Sequence, residues 1–287
     1  MTSESLRGCR AGVRGLLLTA VCGITLLACA SVDGGFESGR FRGWYREFPN
    51  PEAARIVSEP VHDGRYAARF ESGPDDRRIT GGLRSEVSEL FYKAPFGREM
   101  WYRFSTLIPG ESPAAAFRCV IAQWHGWPDL VRGEAWRSPV IAIEYRLNRF
   151  IIRICYNAER VQQDNTSASN NKTILYRSPE HGARDVWHDF IVRAVFDPAG
   201  DGRLSVWIDG DHVVEYTGPL GYNDRAGPWF KMGVYRDWSP STFVVYHDSY
   251  RRGHSYEHVG LAQPPAGAER GAEFPGQQPP AGTRSAR

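Results

Sequence analysis

Apolar and polar side chains alternate through most of the chain between residues 66 and 251. Alternation with a period of two predicts strands, and the runs are short. They fall at 66–70, 82–90, 99–108, 117–125, 140–147, 149–156, 187–196, 203–208, 212–216, 230–235 and 243–251. Turn chemistry separates several of them. Leu147-Asn148-Arg149 suits a tight hairpin, and Asp197-Pro198-Ala199-Gly200-Asp201-Gly202 and Asp209-Gly210-Asp211 suit reversals. No long helical periodicity and no internal repeat interrupts the pattern. Many short strands at close spacing predict an all-β domain, a β-sandwich or jelly roll.

Three of these strands carry polar side chains where a solvated or core face would not need them. Arg84, Glu86 and Ser88 share one face of their strand, Gln123 and His125 share one face of theirs, and Lys231 and Tyr235 share one face of a third. Taken alone, each has an ordinary reading: an ion pair, a hydrogen-bonded histidine, a sheet aromatic. Arg153 and Asn157 lie on one face with Cys155 and are candidates to line a cleft. Tyr145 is either a platform for a sugar ring or a core aromatic. The polar loop at 158–172 is either a cleft cover or a solvated excursion.

The two ends of the chain differ from the middle. Arg7, Arg10 and Arg14 precede a short apolar run that ends in Leu26-Leu27-Ala28-Cys29, which predicts an export signal over residues 1–28. Cys29 stands where a bacterial lipoprotein is lipidated, with a plain cleaved signal as the alternative. Residues 29–35 read as a linker, 36–258 as one domain, and 259–287 as a disordered Pro/Gly/Ala-rich tail. Without its first 28 residues the chain carries 32 basic and 32 acidic side chains, so an anionic partner has to be held by a local patch. No basic stripe supports nucleic-acid binding. Cys119 and Cys155 remain, as a disulfide or as two buried thiols, and no metal-ligand spacing is present.

Together the three polar strands resemble those of the jelly-roll polysaccharide lyases, which comprise the alginate and glucuronan lyases and a heparin-lyase-like group. The matching segments are Arg84-Ser85-Glu86, Gln123-Trp124-His125 and Trp229-Phe230-Lys231-Met232-Gly233-Val234-Tyr235, in the family's order. Further similarity runs from about Trp101 to Arg252. Trp229 departs from the usual Tyr, and Ser88 stands where alginate lyases often have Arg. The resemblance implies a concanavalin-like β-sandwich jelly roll with a cleft on its concave sheet. It also implies β-elimination on a uronic-acid polysaccharide without a cofactor.

That reaction removes the proton on C5 of a uronate and expels the O4 leaving group. Arg84 and Gln123 suit stabilisation of the enolate-like charge. His125 has an intrinsic pKa suited to a base. Tyr235 can donate to the leaving oxygen, or act as both base and acid. Lys231 can hold a substrate carboxylate, and Glu86 is placed to orient Arg84. Two rival readings stay open: a non-catalytic carbohydrate-binding jelly roll, and a glycoside hydrolase. The hydrolase needs paired carboxylates across the bond, and Glu86 and Glu89 fall on opposite faces. The expected partner is an anionic polysaccharide, the expected state a monomer, and the only expected membrane contact a lipid anchor.

Overall fold

The computed structural model describes residues 32–114, 116–166, 169–179 and 184–268. The export signal and Cys29 lie outside these residues. Two seven-stranded antiparallel sheets make up the described chain. The first runs in the order β1 (Tyr45–Glu47), β4 (Leu83–Ser88), β15 (Trp229–Arg236), β6 (Cys119–His125), β7 (Ile141–Arg146), β8 (Arg149–Ile154), β10 (Thr173–Arg177). The second runs β13 (Asp211–Thr217), β12 (Arg203–Ile208), β11 (Trp187–Val195), β5 (Glu99–Leu107), β16 (Phe243–Gly253), β3 (Ala67–Ser72), β2 (Ala54–Val57). A short parallel pair joins β9 (Tyr156–Asn157) to β14 (Gly221–Tyr222).

Every run of alternation in the sequence corresponds to a strand. Strands β1, β2, β10 and the two-residue β14 are additional, and the first three sit at the edges of the seven-stranded sheets. An edge strand is covered incompletely, so its side chains have no reason to alternate: β10 runs exposed, exposed, half-buried, half-buried, exposed.

The core lies between the sheets. Phe230, Met232, Val234, Trp124 and Ile143 point in from the first sheet and meet Tyr102, Phe104, Phe190 and Val245 from the second. Aromatic contacts tie the layers, with ring centroids 5.1 Å apart for Tyr102–Trp124 and 5.5 Å for Phe104–Phe230. The pleat then sends Arg84, Glu86, Gln123, Lys231 and Arg153 to the opposite face of the first sheet. All of these are nonetheless buried, so that outward face is walled by other segments.

Gly233 makes this geometry possible. Its φ is +133°, and a Cβ there would come within 2.3 Å of the Ser85 carbonyl oxygen. At this point β15 bulges against β6, between Met232 and Tyr235, which re-aims the last part of the strand.

Packing extends past both ends of residues 36–258. The Asp33 carboxylate accepts from the Glu37 and Ser38 amides, and its carbonyl accepts from Trp44 Nε1 at 3.0 Å. Val259 and Ala268 cluster with Trp101, Ile191 and Trp207 of the second sheet, where Trp207 Nε1 donates to the Ala266 carbonyl at 2.7 Å. Residues 259–268, grouped with the tail by composition, therefore cover an aromatic patch. Cys119 and Cys155 are both buried free thiols, so the disulfide is absent.

Candidate active site

Strands β4, β15 and β6 are neighbours, and their registers put the three polar rows side by side. Lys231 pairs with Ser88 on one side and Gln123 on the other, Tyr235 pairs with Arg84, and Trp229 pairs with His125. These residues line one cleft of about 480 Å³ on the outward face of the first sheet.

Glu86 is the hub beneath that cleft. Its carboxylate accepts from Lys231 Nζ at 2.8 Å, from Arg84 Nη1 at 3.2 Å, and from Gln123 Nε2. Burial pushes the Glu86 carboxyl up, but Lys231, Arg84 and these hydrogen bonds outweigh it and hold the pKa below the ordinary value. Glu47 on the edge strand β1 supplies a second carboxylate, 2.5 Å from Lys231 Nζ and 3.6 Å from Arg84 Nη1. The two cations are thus fixed from both sides. Arg84 Nε, Ser88 Oγ and Gln123 Oε1 are buried without a hydrogen-bond partner and belong to residues that line the cleft.

His125 lies half-buried at the edge of this cluster. Its Nδ1 is 2.9 Å from the Gly126 carbonyl oxygen, which can only accept. Nδ1 is therefore the protonated nitrogen, and Nε2 keeps its lone pair. Burial, then the charge of Lys231, lowers the His125 pKa to about 4, so the neutral imidazole prevails at pH 7.

Tyr235 lies between two guanidiniums. Arg84 sits 4.2 Å from its ring centroid and Arg118 4.9 Å. Arg118 is itself anchored on Asp237 at 2.7 Å. The ring edge packs against Gly82, where a Cβ would meet Tyr235 Cε2 at 2.4 Å.

The remaining predicted residues divide. Arg153 lines the cleft and is held by Glu144 at 2.8 Å. Asn157 does not line the cleft. Its side chain donates to the Ser169 carbonyl and accepts from the Glu159 amide, so it shapes the loop at 158–172. That loop does reach the cleft, through Asn165 and Lys172. Tyr145 faces the core, with its ring 5.5 Å from Phe150 and 6.0 Å from Phe243, because the β7 pleat turns Glu144 outward instead. The sugar-platform reading of Tyr145 is thereby corrected.

Several lining residues were not singled out by the alternation. Glu47 comes from an edge strand, Arg118 from the residue before β6, and Trp127 and Trp136 from the segment after it. Trp127 packs 5.2 Å from Trp229, and Trp136 lies 5.9 Å from His125. Lys93 sits 4.8 Å from the Trp229 centroid and 4.9 Å from that of Trp127, and burial lowers its pKa. The spacing of Trp127, Trp136 and Trp229 in the sequence gives no hint that they meet. Among the described residues, no group of three His, Cys, Asp or Glu is placed to hold a metal ion.

Comparison with known proteins gives the fold and the family. No curated protein matches the sequence. Among solved structures, the endo-β-1,4-glucuronan lyase of the fungus Trichoderma reesei superposes with a TM-score of 0.61 at 21% identity, covering 77% of this chain and 95% of that one. The family 7 alginate lyase A1-II′ with bound product superposes with a TM-score of 0.53 at 15% identity, covering 79% and 100%. These likenesses show the jelly-roll fold. The profile of the polysaccharide lyase family matches residues 36–251, which span the cleft and all three polar strands. The chain therefore belongs to the polysaccharide lyase family, enzymes that break uronic-acid polysaccharides by β-elimination.

Proposed function

We propose that Arg84, Gln123, His125, Lys231 and Tyr235 carry the elimination on a polyuronate bound across the first sheet. The observation that carries this reading is the convergence of Arg84, Gln123 and Lys231 on buried Glu86, with His125 and Tyr235 on the same cleft wall. Glu86 and Glu47 hold the cations in place, so little reorganisation is needed as charge develops.

In this scheme the substrate carboxylate lies against Lys231, Arg84 and the Gln123 amide. His125 Nε2 takes the C5 proton, and the electron pair moves first onto the carboxylate as an enolate. Collapse forms the C4=C5 double bond and breaks the C4–O4 bond. The Tyr235 hydroxyl gives its proton to the departing oxygen, and solvent returns it. The substrate carboxylate also offsets the charge of Lys231, which moves the His125 pKa upward from about 4 toward a value better suited to a base.

Glucuronan and alginate are the first polymers to try, since lyases for both share this fold. The assay follows the absorbance of the unsaturated uronate. A signal with one polymer, lost by orders of magnitude in Tyr235→Phe, is the expected result. Undiminished turnover in Tyr235→Phe removes the phenol from the mechanism. Retention on a polymer column without any elimination by the wild type would replace this reading with a binding module.

A further inference from the structure

We infer that the cleft continues into a second, cationic segment that binds anionic sugars remote from the bond being broken. This inference rests on the lyase reading above. A groove of about 430 Å³ on β7, β8 and β10 shares Arg118, Arg153 and Lys172 with the catalytic cleft. Arg146, Arg149 and Arg177 complete its rim, and Glu144 is the only carboxylate among the described residues that line it. Arg153 is paired with Glu144 and Arg118 with Asp237, which leaves the charges of Arg146, Lys172 and Arg177 to make the strip positive on a chain whose overall charge is only +2.

Register shows how the strip connects to the site. Lys231, Gln123, Ala142, Arg153 and Ile174 are successive cross-strand partners from β15 to β10. One row beyond, Glu144, Ile151 and Arg177 are partners in the same way. The rows therefore run perpendicular to the strands, over four strand spacings or about 19 Å. This is a track for an extended chain leading away from Lys231.

Two features separate this strip from a set of internal ion pairs. Glu144 is already committed to Arg153, at 2.8 Å. Among the described residues, no carboxylate lies within ion-pair distance of Arg146, Lys172 or Arg177, although all three border the groove. Exposed Leu147 and Ile174 lie between these cations and offer apolar surface to a sugar ring. Guanidinium forks fit carboxylates and sulfates alike. The ligand is therefore a polymer with an anionic group on successive sugars.

The test compares the full chain with an Arg146→Ala/Arg177→Ala double variant. Neither residue touches the reacting groups, and an Arg146→Lys/Arg177→Lys variant keeps the charge as a folding control. On a long polyuronate, kcat/KM is expected to fall about ten-fold with kcat retained, and its dependence on salt to flatten. A trisaccharide of the same polymer is expected to be cleaved as by the wild type. An equal loss on both substrates, or no loss on either, would overturn the inference. If the wild type eliminates no polyuronate, the lyase reading fails and the strip is judged by equilibrium binding. Polymer affinity that the double variant loses supports the strip; no polymer affinity in the wild type overturns it. Binding to polyuronate and to dextran sulfate then assigns carboxylate or sulfate as the group held.

Discussion

Replacing Glu86 with glutamine tests the organisation of the site most directly. The substitution keeps the shape and removes the charge. Both carboxylate oxygens already accept, one from Gln123 and the other from Lys231 and Arg84. Whichever way the new amide turns, its NH2 faces a donor. Gln123 can answer only by flipping its own amide, which turns its carbonyl to position 86 and misdirects the donor meant for substrate. Breaking a buried charge cluster from one side costs about 3–5 kcal/mol. Glu47 still pairs with Lys231 and Arg84, so the lower end applies here. A loss of about 3 kcal/mol lowers Tm by about 6–12 °C in a domain of this size. Losing one aligned donor from a site that stabilises developing negative charge costs about a hundred-fold in turnover.

Glu89→Gln supplies the control. Glu89 accepts from the Tyr250 hydroxyl at 2.7 Å and from Arg252 Nε at 3.0 Å, away from the cleft. It should lower Tm while leaving kcat unchanged. Thermal unfolding and initial rates on one polyuronate, measured well below both melting points, separate the two effects. Wild-type turnover in Glu86→Gln would refute the argument. So would an equal loss of turnover in both variants, which would mean that stability alone had been disturbed.

Two further predictions concern single side chains. Imidazole titration by NMR should find His125 neutral above about pH 5 in the free protein, protonating only toward its lowered pKa of about 4. Lys231→Met should move that transition to higher pH, because a neighbouring cation disfavours the imidazolium; a transition that stays put would show that burial acts alone. Export and lipidation at Cys29 are a separate proposal drawn from the leader-like sequence. Cys29→Ser should shift the protein from the membrane fraction to the soluble fraction when the full chain is expressed in a bacterium, and membrane association unchanged by the substitution would count against the anchor.

Much of the fold was legible because a strand between a core and a cleft alternates strictly. The same rule exposed the site: Arg84, Gln123, Lys231 and Tyr235 occupy outward positions that a solvated sheet would fill less specifically. Legibility failed where periodicity failed. Glu47 lies on an edge strand with little buried surface, Arg118 is out of step with Gln123 and His125 until the bulge between Val120 and Ala122 puts them on one face, and the Trp127–Trp229 contact joins segments about a hundred positions apart. Tyr145 was ambiguous because alternation does not say which of a strand's two faces meets the core.

By itself, then, the sequence determined the all-β class, the strand positions and the three rows of polar side chains, since each depends only on a local period of two. The tertiary structure decided which rows are neighbours, that one buried carboxylate gathers three of their donors, and that the cationic strip on β7, β8 and β10 opens into the same cleft. Those facts depend on strand order and register. Register is set by how whole sheets pack and by bulges such as those at Gly233 and between Val120 and Ala122, and no local pattern of side chains encodes it.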